Sequence, residues 1–398
     1  MHHTLHSYNS KPVKIILMAD DYLWIETEEA LKSLCAQLHT CEWLALDTEF
    51  MRERTYYPQF CLVQVATPDI VACVDVLAIK SLEPLFELLK NPNIVKVMHS
   101  ARQDLEMFFH LNGQVPAPIF DTQLAASFAG LPDQAGYGTV VQALLGVTLE
   151  KSHTRADWSR RPLAAAVLQY ASDDVRYLRD IYVRLKQTLE SQGRLKWLEA
   201  ENAVLTDPAT YRPDPETAWQ RLHGLRRLNA SQFAAAKALA AWREQQAMRS
   251  NLPRQWIFKD EVLTDLARQR PISTETLSSI RGIQDGLIRK HGDELIALMA
   301  SANGEDKPAK APERLSAQDE ALVDALMAVI RIKGSEAGVS PAQLATRRDL
   351  EQLVRGQQNV DVLKGWRLET AGKALLDFMQ NKTRLAISDG CVRLQPVE

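Results

Sequence analysis

The most restrictive feature of this sequence is a short apolar run that ends in two carboxylates. Trp43 to Leu46 is typical of a buried strand, and Asp47 and Glu49 follow with one residue between them. Because successive side chains of a strand point to opposite faces, both acids lie on the same face. Two carboxylates on an apolar strand repel each other and are costly to bury without a compensating cation. The pattern indicates ligands for divalent metal ions, with a solvated strand end as the alternative.

Two later segments carry acids that could join this pair. The apolar run Ile94–Met98 predicts a second buried strand, and the helical segment that follows contains Asp104. A later helix, rich in Ala and Leu, contains Tyr170 and Asp174, whose spacing of four residues places them on one helical face. The adjacent Asp173 points in a different direction. The sequence therefore predicts a site whose side chains come from one strand and two helices.

The order of these five residues resembles the signature of the DEDD superfamily of 3′→5′ exonucleases, and the tyrosine is typical of its DEDDy branch. Two further stretches, Thr55–Pro58 and Asp157–Leu163, resemble the bacterial ribonuclease D family, and the resemblance extends from about Tyr22 onward. It implies an α/β, ribonuclease H-like fold with a mixed sheet and flanking helices. It also implies that the catalytic residues are Asp47, Glu49, Asp104, Tyr170 and Asp174.

The same resemblance implies that the four carboxylates hold two divalent cations. Ligands that offer only oxygen favour Mg²⁺ or Mn²⁺ over zinc. By resemblance, Asp47 would bridge both ions, whereas Glu49 and Asp174 would complete the site that activates water. Asp104 would hold the second ion, and Tyr170 would orient the attacking water.

The chain changes character about halfway along its length. Its first part alternates predicted strands and helices and opens with three strands that we expect to be antiparallel, Trp43–Asp47, Cys61–Ala66 and Ile70–Asp75. After Pro208 the strand signal vanishes and the pattern is helical. The predicted domains are a disordered N-terminal extension (1–20), an exonuclease domain (21–207), a first helical domain (214–300), a linker (301–313) and a second helical domain with a C-terminal tail (314–398).

The helical part repeats itself at an offset of about 87 residues. At this offset Leu252 and Ile257 recur as Val339 and Leu344. The first copy resembles an HRDC domain, the small helical bundle shared by RecQ-type helicases and ribonuclease D. The second copy is degenerate, since two basic positions of the first are acidic in it. We expect two all-α, HRDC-like bundles.

Basic side chains indicate where RNA would bind. The segment Tyr211–Ala300 has 14 basic and 10 acidic side chains, against 19 and 26 before it, so we expect phosphate contacts there. A stretch before the last catalytic helix combines cations with the indole of Trp158, a combination that suits single-stranded RNA. Packing beneath the helix is the preferred role of this indole, and Lys151 and Arg161 are the better candidates for phosphate contacts. The predicted substrate-binding residues are Lys151, Arg155, Trp158, Arg161, Arg226, Arg227, Lys237 and Arg249.

Together these features predict a metal-dependent 3′→5′ exoribonuclease that releases 5′-mononucleotides and trims structured RNAs such as tRNA precursors. A 3′→5′ DNA exonuclease of proofreading or Werner type would use the same chemistry, although no polymerase or helicase motif accompanies the domain. A non-catalytic RNA-binding protein is the alternative from another class. Five cysteines without metal or disulfide spacing favour a reducing cytoplasm. We expect no membrane partner, because no apolar run reaches the roughly 18 residues of a membrane span. We also expect a monomer that uses no nucleotide cofactor.

Overall fold

The computed structural model describes residues 16–17, 22–149, 156–306 and 313–397, and the chain divides into two compact units. Unit 1 comprises Met1–Glu49, Phe60–Thr210 and Leu315–Glu398, whereas unit 2 comprises Phe50–Gln59 and Tyr211–Arg314. Apart from residues 16 and 17, which form a short strand, the predicted N-terminal extension lies outside the described residues, as do residues 307–312 of the predicted linker. The units divide the chain differently from the predicted domains, because the second helical repeat belongs to the unit that contains the main sheet.

The main sheet is mixed, as predicted. Its strands are β1 (Ile16–Leu17), β2 (Leu23–Ile25), β3 (Trp43–Met51), β4 (Gln59–Ala66), β5 (Val71–Val74), β6 (Val95–Met98) and β7 (Ile119–Asp121). They lie in the order β1-β2-β5-β4-β3-β6-β7. β4 and β5 are antiparallel, whereas β3, β6 and β7 run parallel to one another. The strand that carries Asp47 and Glu49 is therefore an interior strand with neighbours on both sides.

Helices alternate with these strands along the chain and then follow the last of them. They are α1 (Glu28–Leu38), α2 (Glu83–Lys90), α3 (Arg102–Asn112), α4 (Thr122–Phe128), α5 (Tyr137–Leu145), α6 (Ala165–Ser191) and α7 (Leu195–Leu205). In α6, the buried residues Ala171, Val175 and Leu178 recur every three or four positions, which defines one apolar face. This helix contacts β5 and β6. Its packing on the sheet fixes the position of Asp174.

Unit 2 is a helical bundle with its own core. Its helices are α8 (Ala230–Ser250), α9 (Arg254–Ile257), α10 (Asp260–Gln269), α11 (Thr274–Ser278) and α12 (Asp285–Ser301). The helix α8 begins with a capping box, in which Asn229 and Gln232 exchange side-chain and backbone hydrogen bonds. Phe233, Leu263 and Leu295 are among the buried side chains that hold the helices together. The first repeat thus folds around a single apolar cluster.

The second repeat confirms the predicted offset and then diverges from the first. Its elements are α13 (Ala317–Ala337), α14 (Pro341–Leu344), α15 (Arg347–Val354), α16 (Gly365–Arg367), a π-helical turn (Leu368–Gly372), α17 (Lys373–Met379), β8 (Thr383–Ser388) and β9 (Cys391–Pro396). Both α13 and α14 begin 87 residues after α8 and α9.

The second repeat is helical from α13 to α17, as expected, and its C-terminal end forms an antiparallel hairpin of β8 and β9 that was not predicted. Its two-residue turn is Asp389–Gly390, with φ angles of 54° and 74°. A type I′ turn requires positive φ at both positions, and Asp-Gly is among the pairs that favour it. The Asp389–Gly390 pair could therefore have predicted this hairpin from the sequence.

An aromatic cluster attaches the second repeat to the rest of unit 1. The ring of Trp366 stacks on that of Trp197 with centroids 4.6 Å apart, and it meets Phe128 edge-on at 5.2 Å. Its Nε1 donates to the Glu201 carboxylate at 3.0 Å, which also pairs with Arg367. Trp366 is only 9% exposed. The second repeat therefore contributes to the core of unit 1.

Candidate active site

Three of the four predicted metal ligands converge in unit 1. Carboxylate oxygens of Asp47, Glu49 and Asp174 all lie within 4.8 Å of one another. The first two project from β3 and the third from α6. Alternation along the strand and packing of the helix thus bring the predicted acids together.

The fourth predicted ligand, Asp104, lies close enough to influence this group electrostatically. It is in the first turn of α3 and is buried, and its carboxylate accepts a hydrogen bond from the Thr48 hydroxyl of β3. Its charge contributes to the raised pKa of both Asp47 and Glu49. The four acids, Asp47, Glu49, Asp104 and Asp174, are called the carboxylate cluster below.

A further buried acid, Asp121, fixes the start of α3. Its carboxylate accepts hydrogen bonds from the backbone amides of Ser100 at 3.2 Å and Ala101 at 2.9 Å, and also caps α4 through the Gln123 amide at 2.8 Å. Ser100 has a φ of 58°, in the left-handed region, so this tight turn needs such support. Asp121 therefore helps to position Asp104. It was not predicted as a site residue, although an acid between a strand and a helix is a typical N-cap signal.

Burial raises the pKa of every member of the carboxylate cluster, and repulsion by other members adds to the rise for Asp47 and Glu49. For Asp47, burial is the largest cause and the charges of Asp174, Asp104 and Glu49 follow. Burial, with the charges of Asp174 and Asp104, raises the pKa of Glu49 to about 9. Chiefly through burial, the pKa values of Asp104 and Asp174 rise to about 7. Concentrated oxygen donors that are disfavoured as free anions fit hard divalent cations.

Tyr170 lies one helical turn before Asp174, as predicted. Its hydroxyl donates a hydrogen bond to the Asp174 carboxylate, and burial followed by the neighbouring carboxylate charges raises its pKa. The phenol therefore remains a protonated donor at neutral pH. Trp158 packs beside it, with ring centroids 6.4 Å apart, and is 3% exposed. This burial favours the packing role of Trp158 over a base contact.

Arg161 anchors the loop that carries Trp158. Its Nε and Nη2 each donate to the Asp75 carboxylate at 2.7 Å. Nη2 also donates to the Cys61 carbonyl at 2.7 Å, and Nη1 donates to the Trp158 carbonyl at 2.8 Å. These contacts favour a structural role for Arg161 over the predicted phosphate contact. The candidates Lys151 and Arg155 lie outside the described residues.

Tyr137, on α5, is a neighbour of the cluster that was not predicted. Its hydroxyl donates to the Asp173 backbone carbonyl at 3.0 Å, and its ring meets His99 edge-on at 5.5 Å. Burial, followed by the charges of Asp174 and Asp47, raises its pKa. It thus lies within the electrostatic field of the site. A single tyrosine outside any motif offered no signal in the sequence.

The candidate RNA contacts of unit 2 differ in their surroundings. Arg226, Arg227 and Arg249 are exposed. Lys237 instead pairs with Asp306 at 3.5 Å and lies over an aromatic ring. The three arginines are therefore better placed to meet a phosphate than the lysine.

Two family models and several relatives match this chain over most of its length. A model described as a 3′-5′ exonuclease matches residues 22–190, and a model of the HRDC domain matches residues 232–299. The chain is 41% identical over 378 residues to ribonuclease D of Granulibacter bethesdensis, an alignment that covers 93% of this chain and 95% of that protein. It is 43% identical over 370 residues to ribonuclease D of Acidiphilium cryptum, with 91% and 94% covered.

A solved structure gives the same result. The crystal structure of Escherichia coli RNase D, described as an exoribonuclease involved in structured RNA processing, superposes with a TM-score of 0.78 at 34% identity. The match covers 90% of this chain and 98% of that one. Taken with the converging carboxylates and the adjacent tyrosine, these similarities show that the chain belongs to the ribonuclease D family of 3′→5′ exoribonucleases.

Proposed function

We propose that this chain removes nucleotides from RNA 3′ ends with two divalent cations, Mg²⁺ or Mn²⁺, held by the carboxylate cluster. The observation that supports this most strongly is the convergence of three carboxylates, whose oxygens lie within 4.8 Å of one another. When bound, the cations would neutralise the phosphate, activate water and stabilise the leaving oxygen. Water attacks phosphorus and the bond to the 3′ oxygen of the preceding nucleotide breaks. The released nucleotide keeps its 5′ phosphate.

The chain's own residues would orient the reactants. The Tyr170 hydroxyl, already directed at the cluster by its hydrogen bond to Asp174, is suited to hold the attacking water as a donor or acceptor. Thr48 and Asp121 would keep Asp104 in place from its two sides. Preorganised groups of this kind accelerate a reaction because they need not rearrange during it.

We propose structured RNAs, with the 3′ ends of tRNA precursors as an example, as the substrate class. The ribonuclease D relatives support this, as does the description of the Escherichia coli protein. The basic excess of Tyr211–Ala300 and the exposed Arg226, Arg227 and Arg249 supply counter-charges for the phosphates of a folded RNA.

Digestion of matched RNA and DNA oligomers tests this function. With a 5′ label and Mg²⁺ or Mn²⁺, we expect the RNA to shorten from its 3′ end and release 5′-mononucleotides, and EDTA to stop the reaction. Preferential digestion of DNA would support the DNA exonuclease instead. RNA binding without digestion under any divalent cation would support the non-catalytic RNA-binding alternative.

We further propose that the enzyme works as a monomer in the cytoplasm without a nucleotide cofactor. All five cysteines lie within the described residues and none forms a disulfide, which is compatible with a reducing compartment. Within the described ranges, no helix is both long and apolar enough to cross a membrane. Size-exclusion chromatography with light scattering would test the oligomeric state.

A further inference from the structure

Unit 2 contains a cavity of about 380 Å³, and none of the residues that line it was predicted as a site residue. This volume lies within the roughly 300–1,000 Å³ of typical ligand sites. Four arginines line it, Arg52, Arg221, Arg243 and Arg254, against three acids. Guanidinium groups suit phosphate-bearing ligands, because their planar fork matches phosphate oxygens.

The inner wall of the cavity is held by a buried glutamate. Glu244 is 2% exposed and accepts hydrogen bonds from the Tyr56 hydroxyl and from Nη2 of Arg254, the latter at 2.6 Å. Burial by itself would raise the pKa of Glu244, but the hydrogen bonds from Arg254 and Tyr56 bring it below its usual value. Arg254 also lies over the Tyr56 ring, 4.6 Å from its centroid. These contacts hold the side chains of Glu244 and Arg254 in place and keep the Glu244 carboxylate ionised.

Two of the other lining arginines, Arg243 and Arg221, differ in their exposure. Arg243 is matched inside the bundle by Asp260 at 2.7 Å and by the Phe258 carbonyl at 2.9 Å. Arg221 has a side chain that is 63% exposed, and its Nη1 lies 3.3 Å from Glu244. Nη1 of Arg221 donates this weaker hydrogen bond to Glu244, whereas Arg254 makes the two shorter contacts with the same carboxylate. We therefore expect the charge of Arg221 to be only partly compensated and able to contact a ligand.

An exposed indole lies next to this cavity along the chain. Trp256 is 53% exposed, and on α9 it follows the lining residues Arg254 and Gln255 directly. Large aromatic side chains are usually much less exposed in folded domains. Proteins bind single-stranded nucleic acids with exposed aromatic rings beside cationic side chains, because the ring stacks on a base while the cations contact the phosphates.

We propose that this cavity binds one nucleotide of the RNA substrate, with Arg221 contacting its phosphate and Trp256 stacking on a base. The proposal rests on the exoribonuclease function above and adds a binding site to it. No member of the carboxylate cluster lines the cavity, so the nucleotide held there is not the one being hydrolysed. It belongs to the part of the strand that remains after each cut.

Binding measurements on the full chain test this site. In an Asp47→Asn background, which prevents digestion, the affinity for a 5′-labelled single-stranded RNA of twelve nucleotides is measured by fluorescence anisotropy at several salt concentrations. We expect Arg221→Gln to weaken binding by about three- to tenfold and to lower the salt slope by about 0.7, the value for one phosphate contact on a single strand. Trp256→Ala should weaken binding by about fivefold or more with the slope unchanged, because stacking is uncharged.

The matched control is Arg281→Gln, which removes one exposed positive charge of the same unit outside the cavity. Affinity and slope for Arg221→Gln that equal those of Arg281→Gln, together with unchanged affinity for Trp256→Ala, would overturn the proposal. Circular dichroism and melting curves ensure that each variant is folded. If a variant does not fold, Arg221→Lys and Trp256→Phe replace it, with a smaller loss of affinity expected for each.

A second readout separates this site from the catalytic function. With Asp47 restored, Arg221→Gln and Trp256→Ala should hydrolyse an RNA dinucleotide at the wild-type rate, whereas the KM for the twelve-nucleotide RNA should rise at unchanged kcat. If the wild-type protein hydrolyses RNA but the KM stays constant in both variants, only the cavity proposal fails. If the wild-type protein hydrolyses no RNA, the proposed function itself fails.

Discussion

Replacing Trp366 with alanine should destabilise unit 1 strongly, although this residue is far along the chain from every predicted ligand. The ring is 9% exposed and packs between Trp197 at 4.6 Å and Phe128 at 5.2 Å. Truncating a buried tryptophan typically costs about 3–5 kcal/mol, through lost burial and the cavity left behind. The change also leaves the Glu201 carboxylate without its indole donor. At about 2–4 °C per kcal/mol, the melting temperature of unit 1 should fall by at least about 6 °C.

Differential scanning calorimetry measures this effect directly. The matched control is Trp256→Ala, which removes a tryptophan that is 53% exposed and should change stability by less than about 0.5 kcal/mol. Trp366→Phe should fall between the two, because a smaller ring still packs on Trp197. If Trp366→Ala melts within about 1 °C of the wild type, the second repeat is not part of the core of unit 1.

Four further predictions concern the site and its surroundings. Tyr170→Phe should lower kcat by about tenfold to a thousandfold while Mg²⁺ binding is retained; a wild-type rate would reduce the tyrosine to core packing. Arg161→Lys keeps the charge but loses the bidentate fork, so kcat should fall by about tenfold at unchanged KM as Trp158 loosens from Tyr170; equal kinetics would show that this anchor is dispensable. Arg226→Gln with Arg227→Gln should lower the salt slope of RNA binding by about 1.5, and an unchanged slope would exclude both as phosphate contacts. In metal-free protein the pKa values of Asp104 and Asp174 are raised to about 7 and that of Glu49 to about 9. Folding therefore favours the protonated acids, and the free energy of unfolding should fall as pH rises from about 5 to about 8. Thermal melts with and without Mg²⁺ would contradict this if the stability of the metal-free protein rose over that range instead.

Local rules account for what was predictable from the sequence. The period of a strand places Asp47 and Glu49 on one face, and the period of a helix does the same for Tyr170 and Asp174. The repeat was also readable, since the starts of α13 and α14 follow those of α8 and α9 by 87 residues. Each of these features depends only on residues that are close in sequence or on a direct comparison of two segments.

The remaining features depend on contacts between distant parts of the chain. Nothing near Arg161 in the sequence indicates that Asp75 is its partner, so its charge suggested a phosphate contact. A charge count likewise gives no hint that Glu244 would be buried among the arginines of unit 2. The contact of the second repeat with the rest of unit 1 includes the stack of Trp366 on Trp197, and the sequence around a tryptophan does not indicate its partner.

The most direct test of the two-cation account compares two adjacent aspartates. Asp174 belongs to the carboxylate cluster, whereas the Asp173 carboxylate accepts hydrogen bonds from Gln169 at 2.9 Å and Arg176 at 3.2 Å. Single-turnover digestion of a 5′-labelled RNA in Mg²⁺ is measured for Asp174→Asn and for Asp173→Asn, with RNA and Mg²⁺ binding followed by calorimetry. We predict that Asp174→Asn loses at least about a hundredfold in rate and loses Mg²⁺ affinity while it still binds RNA, and that Asp173→Asn stays within about threefold of the wild type. Equal rates and equal Mg²⁺ affinity in the two variants would contradict the account.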